Sequence, residues 1–281
     1  MIFKAVLAFA LCLGLAAQEE TRPASRTETR SETLAYGSKL WVRNRNGAIQ
    51  VSGWDKEEVS LTAEIRDTEQ RRIELAVQRQ GPDLDIEAQF QQPRLSLGLG
   101  PAPSPWCRMT LKVPRKLLAS FRTTNGPISV EMVIGYVRCE TINGDINLGA
   151  IAGEVLAETT NGNVEARGLH ARISGGTANG RIVLEDVDGQ VKMETTNGFI
   201  TARNLDGWGE GISLASTNGA IELELGRATG DLLAENAHGS IRVRVANAQV
   251  LELGKHRVRV RIPGRTQKIV LGTTNGSIQV R

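Results

Sequence analysis

Thr159-Thr160-Asn161-Gly162-Asn163-Val164-Glu165-Ala166 is followed by Thr177-Ala178-Asn179-Gly180-Arg181-Ile182-Val183-Leu184, and then by Thr195-Thr196-Asn197-Gly198-Phe199-Ile200-Thr201-Ala202. The interval is 18 residues, and Asn125 and Asn143 precede the run at the same spacing. Asn218, His238 and Asn275 continue it less strictly, and Asn46 is an early outlier among eight Asn-Gly pairs. A short fixed period, with one turn and two strand-like pieces per unit, predicts a stacked repeat architecture.

With each turn Asn as zero, aliphatic residues stand at +3 (Ile128, Ile146, Val164, Ile182, Ile200, Ile221, Ile241, Ile278) and at +5 (Val130, Leu148, Ala166, Leu184, Ala202, Leu223, Val243, Val280). That alternation places both columns on the interior face of a strand. Val133, Ile151, Leu169, Val187 and Leu205 at +8 would turn a corner, and a second strand carries Val137, Val155, Ile173 and Val191 inward at +12. The columns at +14 and +16 hold Cys139, Ala157, Gly175, Met193 and Thr141, Thr159, Thr177, Thr195.

An antiparallel meander is the rival arrangement, because Asn-Gly also makes two-residue hairpins. Antiparallel neighbours do not require identical residues at one offset, whereas in a parallel solenoid each coil lies about 4.8 Å above the last and like stacks on like. The expectation is therefore an all-β, parallel, β-helix-like solenoid of 18-residue coils, with the right-handed sense that parallel crossovers favour. Asn125, Asn143, Asn161, Asn179, Asn197, Asn218 and Asn275 would form a turn column, with Asn over Asn and Thr over Thr as side-chain ladders. The glycine after each Asn would supply a positive φ. Trp208-Gly209-Glu210, inserted after Gly207, should bulge at a corner. Lys255-His256 should mark a degenerate coil, giving nine stacked turns from Asn125 to Asn275.

Before Asn125, residues 35–124 are expected to form an N-terminal β cap continuous with the solenoid at 125–281. Strands are expected at Val59–Arg66, Ile73–Gln78 and Leu84–Ala88, with a loop over Gln92–Pro105. Lys4, the apolar run Ala5–Leu15 and Ala16-Ala17 predict a secretory signal peptide over 1–17. That run is too short for a transmembrane anchor, and no apolar span follows it. Residues 18–34 are charged, lack apolar periodicity and read as a flexible leader. Leu11 is too bulky for Cys12 to be a lipidated cysteine. After cleavage Cys107 and Cys139 remain, either paired in an oxidising compartment or buried as thiols. Loss of Lys4 leaves 33 basic against 31 acidic residues. A charge near +2 gives no reason to invoke nucleic acid or an anionic membrane, and 4% aromatics argue against stacking platforms.

The segment Asn46-Gly47-Ala48-Ile49-Gln50-Val51-Ser52-Gly53-Trp54-Asp55, the strand Leu111-Lys112-Val113-Pro114 and the repeated Thr-Thr-Asn-Gly-x-Ile-x-Val resemble the bacterial putative-adhesin family over about residues 35–281. The resemblance implies a β-solenoid and a cell-envelope location, and it carries over no catalytic or ligand residue.

The chemistry of the chain points the same way. His170, His238 and His256 lie in no metal-type spacing, and no nucleophile elbow or P-loop occurs. No cofactor is expected. Glu131, Arg167, Glu185, Arg203, Glu224 and Arg244 at +6 should form a cross-strand ion ladder that supports register. Glu140, Glu158, Glu194 and Glu235 share the +15 offset, so an outer acidic face results. Local Arg138 and Lys192 at +13, or a hard cation such as Ca²⁺, would offset its repulsion. A polysaccharide lyase or hydrolase would need clustered carboxylates, and Glu140 and Glu158 with Arg138 are its only candidates. The favoured expectation is a non-catalytic exported solenoid in the periplasm, on the outer cell surface or secreted. It would offer a surface to an envelope or extracellular protein or glycan, and a structural or stress-sensing envelope component is the alternative.

Overall fold

The computed structural model describes residues 25–68, 71–91, 104–209, 211–265 and 267–281. The expected signal peptide and most of the Gln92–Pro105 loop lie outside them. Among the described residues the chain is all strand, turn and bend. No helix is long and apolar enough to cross a membrane.

Each coil contributes one strand to sheet B, running into the turn Asn, and one to sheet A, leaving it. The Asn161 coil, for example, uses Ala152–Asn161 and the start of Val164–Asn179. Neighbouring coils pair in parallel with strict register, Asn143↔Asn161↔Asn179↔Asn197↔Asn218 in sheet B and Ile146↔Val164↔Ile182↔Ile200↔Ile221 in sheet A. The expected solenoid is therefore present. Its +3 and +5 columns are buried from Ile128 to Leu223, as are the corner residues at +8. Burying each such aliphatic side chain stabilises by about 1.5–3 kcal/mol.

The stacking order departs from the chain order at both ends. The coil at Asn275 (Lys268–Asn275, Ile278–Val280) lies between the Asn218 coil and the His238 coil (Gly230–His238, Ile241–Val243), pairing with both in parallel. The expected succession from 218 through 238 and 256 to 275 is thus corrected. Residues 257–262 do not form a degenerate coil either. Arg257–Ile262 runs antiparallel to the His238 strand, and Gln249–Leu253 lies antiparallel beyond it. Side-chain chemistry explains the order. Asn275 continues the amide ladder by donating to Asn218 Oδ1 at 2.8 Å, and Thr273 reaches the Gly219 carbonyl at 3.0 Å. His238 carries no amide to continue the ladder, although Asn236 Nδ2 takes the threonine's part by donating to the Gly276 carbonyl at 3.3 Å, and this coil lies beyond that of Asn275.

At the other end the Asn46 coil (Lys39–Arg43, Ile49–Trp54) is inserted between the Asn125 coil and the strands Asp83–Phe90 and Trp106–Pro114. Glu58–Arg66 and Ser25–Thr33 extend sheet A antiparallel, and Ile73–Gln80 closes sheet B as a hairpin with Asp83–Phe90. Residues 25–33, read from sequence as leader, are therefore an edge strand. Arg26, Glu28 and Glu32 are half-buried there in place of apolar residues, and Arg30 between them is exposed. Charge on the outermost strand also discourages further edge pairing.

The turns hold the coils together more tightly than the sequence reading allowed. Each Asn Nδ2 donates to the Oδ1 of the coil before it, from Asn143→Asn125 to Asn218→Asn197, at 2.8–2.9 Å. The Thr column does not bond to itself. Thr141, Thr159, Thr177 and Thr195 hydroxyls instead donate to the carbonyls of Gly126, Gly144, Gly162 and Gly180 at 2.9–3.1 Å. The mid-stack glycines are also needed for a different reason. Gly144, Gly162, Gly180 and Gly198 are not left-handed, but a Cβ on any of them would overlap the carbonyl oxygen of the glycine one coil before. At the turns a positive φ is found only toward the ends of the stack, at Gly47 (124°), Gly126 (151°) and Gly239 (133°), whereas the opposite corner is left-handed at Met132 (59°), Ala150 (49°), Gly168 (62°), Asp186 (54°) and Asn204 (50°). Trp208 bulges from its corner as expected, 43% exposed, with Gly211 N–H donating to the Trp208 carbonyl at 3.2 Å. Cys107 and Cys139 are free, buried thiols. Burial pushes Cys107 up to about 12 and raises Cys139 as well.

Candidate functional site

The outer face of sheet B carries a trench of about 990 Å³. Six consecutive strands of the stack build it, from the Asn161 coil through Asn179, Asn197, Asn218 and Asn275 to His238. Five strand spacings make it roughly 24 Å long. Its depth comes from missing side chains. In the +15 column Glu158 is followed by Gly176, Glu194, Ala215, Gly272 and Glu235, so three of six positions are Gly or Ala. At Gly272 a Cβ would meet nothing within 4 Å, which marks open space above the floor. Along one wall Thr196, Thr217 and Thr274 stand on consecutive strands.

The expected acidic face is therefore interrupted rather than continuous. Glu140 and Glu158 are its only direct neighbours. Glu140 accepts from Arg122 Nε at 2.6 Å and Arg138 Nε at 2.8 Å. Burial works to raise its carboxyl, but these hydrogen bonds outweigh that and hold it below the usual carboxylate range. Arg138 also reaches Glu158 at 3.9 Å, and Arg257 Nε lies 3.3 Å from Glu235. Arginines thus offset the charge of Glu140, Glu158 and Glu235. Among the described residues no group of three or more His, Cys, Asp or Glu side chains could hold a metal ion.

Glu194 and Lys192 occupy the middle of the trench on one strand, two residues apart and both exposed. Neither forms an ion pair among the described residues. Ser174 and Gly176 flank them on one side, and Ser213 and Ala215 on the other. The result is one free carboxylate and one free ammonium over a small-residue floor.

The remaining sequence candidates do not converge. His170 Nδ1 sits 3.5 Å from Asp188, His256 Nδ1 lies 3.1 Å from Asn236 Oδ1, and His238 ends the turn column. The expected +6 ion ladder forms in part, with Arg167–Glu185 at 3.3 Å and Arg203–Glu224 at 4.0 Å, while Glu131 and Arg244 have no ion partner among the described residues. Intercalation inserts Arg281 there, 3.4 Å from Glu224. Such exposed pairs contribute at most about 1 kcal/mol each. Sequence reasoning missed Gly272 and Thr274 as trench residues because it placed their coil last. The intact Thr273-Thr274-Asn275-Gly276 motif, beside a turn at His238 that had lost its Asn, was the available signal.

Comparison with solved structures finds several of low similarity. A putative cell adhesion protein from Clostridium sporogenes is 12% identical, over 91% of this chain and 99% of that one, with a TM-score of 0.28. A putative adhesin from Bacteroides fragilis is 13% identical over 92% and 99%, with a TM-score of 0.45. A putative lipid binding protein from Parabacteroides distasonis is 16% identical over 91% and 96%, with a TM-score of 0.43. No curated protein matches. A family model matches residues 38–281, from the first coil to the last, and on that match the chain belongs to the Toastrack DUF4097 family.

Proposed function

We propose that this chain is a non-catalytic, exported β-solenoid that binds an envelope or extracellular partner along the sheet B trench. The observation that carries the reading is the trench itself, about 990 Å³ of open space over a floor of Gly176, Ala215 and Gly272. The ladder of asparagines beside it fixes the spacing of five of the six strands that line it. Rigid spacing of weak contacts suits recognition of an extended partner, because little ordering entropy remains to be lost on binding. The charged, apolar and small-residue succession at Lys4–Ala17 supports the exported part of the proposal, with the periplasm, the outer surface or the outside of the cell as the destinations.

The test is capture of isolated envelope material by immobilised protein. Gly272→Trp fills the trench where a side chain meets no atom, and an aromatic residue suits a strand. Thr201→Trp places the same bulk on the outer face of sheet A. Capture should be lost in the first variant and kept in the second. Equal capture by both would move the binding surface elsewhere.

A further inference from the structure

We propose that the occupant of the trench is a neutral, linear, polyhydroxylated glycan lying along the solenoid axis, an inference that rests on the trench being the binding surface. Two observations select that chemistry. The first is the lattice. Polar groups of one kind recur on three consecutive central strands, Thr196, Thr217 and Thr274, at a spacing of about 4.8 Å, with Ala178 and Ala237 at the same position on the strands that flank them. A pyranose unit advances a linear glycan by close to that interval, so successive sugars meet equivalent strands. An extended peptide advances about 3.2–3.4 Å per residue, so only every third residue meets an equivalent position, and then only on alternate strands.

The second observation is charge. Glu158 and Glu235 are each approached by an arginine, Arg138 and Arg257. Among the described residues that line the trench, Lys192 and Glu194 are the charged pair left without an ion partner, with opposite signs. A polyanion would satisfy Lys192 and oppose Glu194, and a polycation would do the reverse. A neutral chain bearing both hydroxyl donors and oxygen acceptors satisfies both. Leu156 and Ala178 offer small apolar surface to the C–H faces of sugar rings, and among the described residues no aromatic ring lines the trench. Each sugar therefore binds weakly, and affinity must accumulate along the polymer.

Length dependence is the consequence to measure. N-acetylglucosamine oligomers from the disaccharide to the octasaccharide should be titrated against the full chain by calorimetry or NMR. Polygalacturonate, chitosan and an uncharged Thr-rich peptide serve as comparators. Affinity should climb with each unit and level off at about six, where the ligand spans the roughly 24 Å of the trench. Lys192→Met and Glu194→Gln should each weaken binding several-fold with unchanged melting, and Gly272→Trp should abolish it. Binding that ignores chain length, or that is stronger for either charged polymer or the peptide, would overturn the assignment. If Gly272→Trp loses envelope capture but no neutral oligomer binds, the glycan class is wrong while the trench reading survives. If Gly272→Trp captures envelope material normally, both fall.

Discussion

The asparagine ladder has a direction, and reversing one rung reads it out. Asn161 Nδ2 donates to Asn143 Oδ1 at 2.9 Å and its own Oδ1 accepts from Asn179 Nδ2 at 2.9 Å. In Asn161→Asp the first of these is lost, at about 1 kcal/mol for a net hydrogen bond. An acceptor then faces the Asn143 oxygen, which costs about another 1 kcal/mol because the ladder is solvent-exposed and water can intervene. The bond from Asn179 becomes charge-assisted and returns about 1 kcal/mol. The net expectation is destabilisation of about 1 kcal/mol. Asn125 differs, since its Oδ1 accepts from Asn143 at 2.8 Å while its Nδ2 has no partner among the described residues. Asn46 beneath it turns its own amide to the Pro105 carbonyl at 2.7 Å. Asn125→Asp therefore keeps every bond, strengthens one, and should be neutral or stabilising by up to about 1 kcal/mol. Asn161→Ala loses two bonds and should cost about 1–3 kcal/mol. Urea unfolding with matched m-values measures all three. Equal destabilisation by the two Asp variants would refute the ladder's polarity.

Three further outcomes follow from the same geometry. Gly162→Ala should cost about 3 kcal/mol or fail to fold, since its Cβ overlaps the Gly144 carbonyl oxygen, whereas Gly272→Ala should leave the urea midpoint nearly unchanged. Glu140 has a folded-state pKa below its unfolded value of about 4.3. Its contribution is complete above that value and disappears as pH falls through the folded one. The stability gap between wild type and Glu140→Gln should accordingly close between about pH 4.3 and lower pH, and a gap that stays constant would contradict the pairing with Arg138 and Arg122. Melting in Ca²⁺ and in EDTA at matched ionic strength should give superimposable curves, because arginines already offset Glu140 and Glu158; a rise abolished by Glu158→Gln would restore a cation site.

Much of the architecture could be read from residue columns because a parallel stack repeats its environment at every step. Ile182 and Leu184 announced their burial through alternation, and the Asn column announced its ladder through identity at a fixed interval. What eluded the sequence was whatever depends on contacts between distant segments. Coil order is set by which turn can continue the amide ladder, so Asn275 displaces His238 although it comes later in the chain. Ser25–Thr33 carries no apolar signal, because an edge strand over a charged face needs none. The role of Gly162 was mistaken for a turn requirement, since close approach between coils and a left-handed φ favour the same residue. The trench was half visible, as an acidic column. Its depth became apparent only when Gly272 was seen to sit between Ala215 and Glu235.

That neighbourhood is also where the account is most directly open to contradiction. Ala215→Cys with Gly272→Cys places thiols on paired strands about 4.8 Å apart, within disulfide reach. Ala215→Cys with Glu235→Cys places them two spacings apart, beyond it. The native thiols are buried with raised pKa values and should not compete. Mild oxidation of the folded protein should close the first pair quantitatively and leave the second reduced. The reverse result would mean that the coils stack in chain order and that the trench, as built here, does not exist.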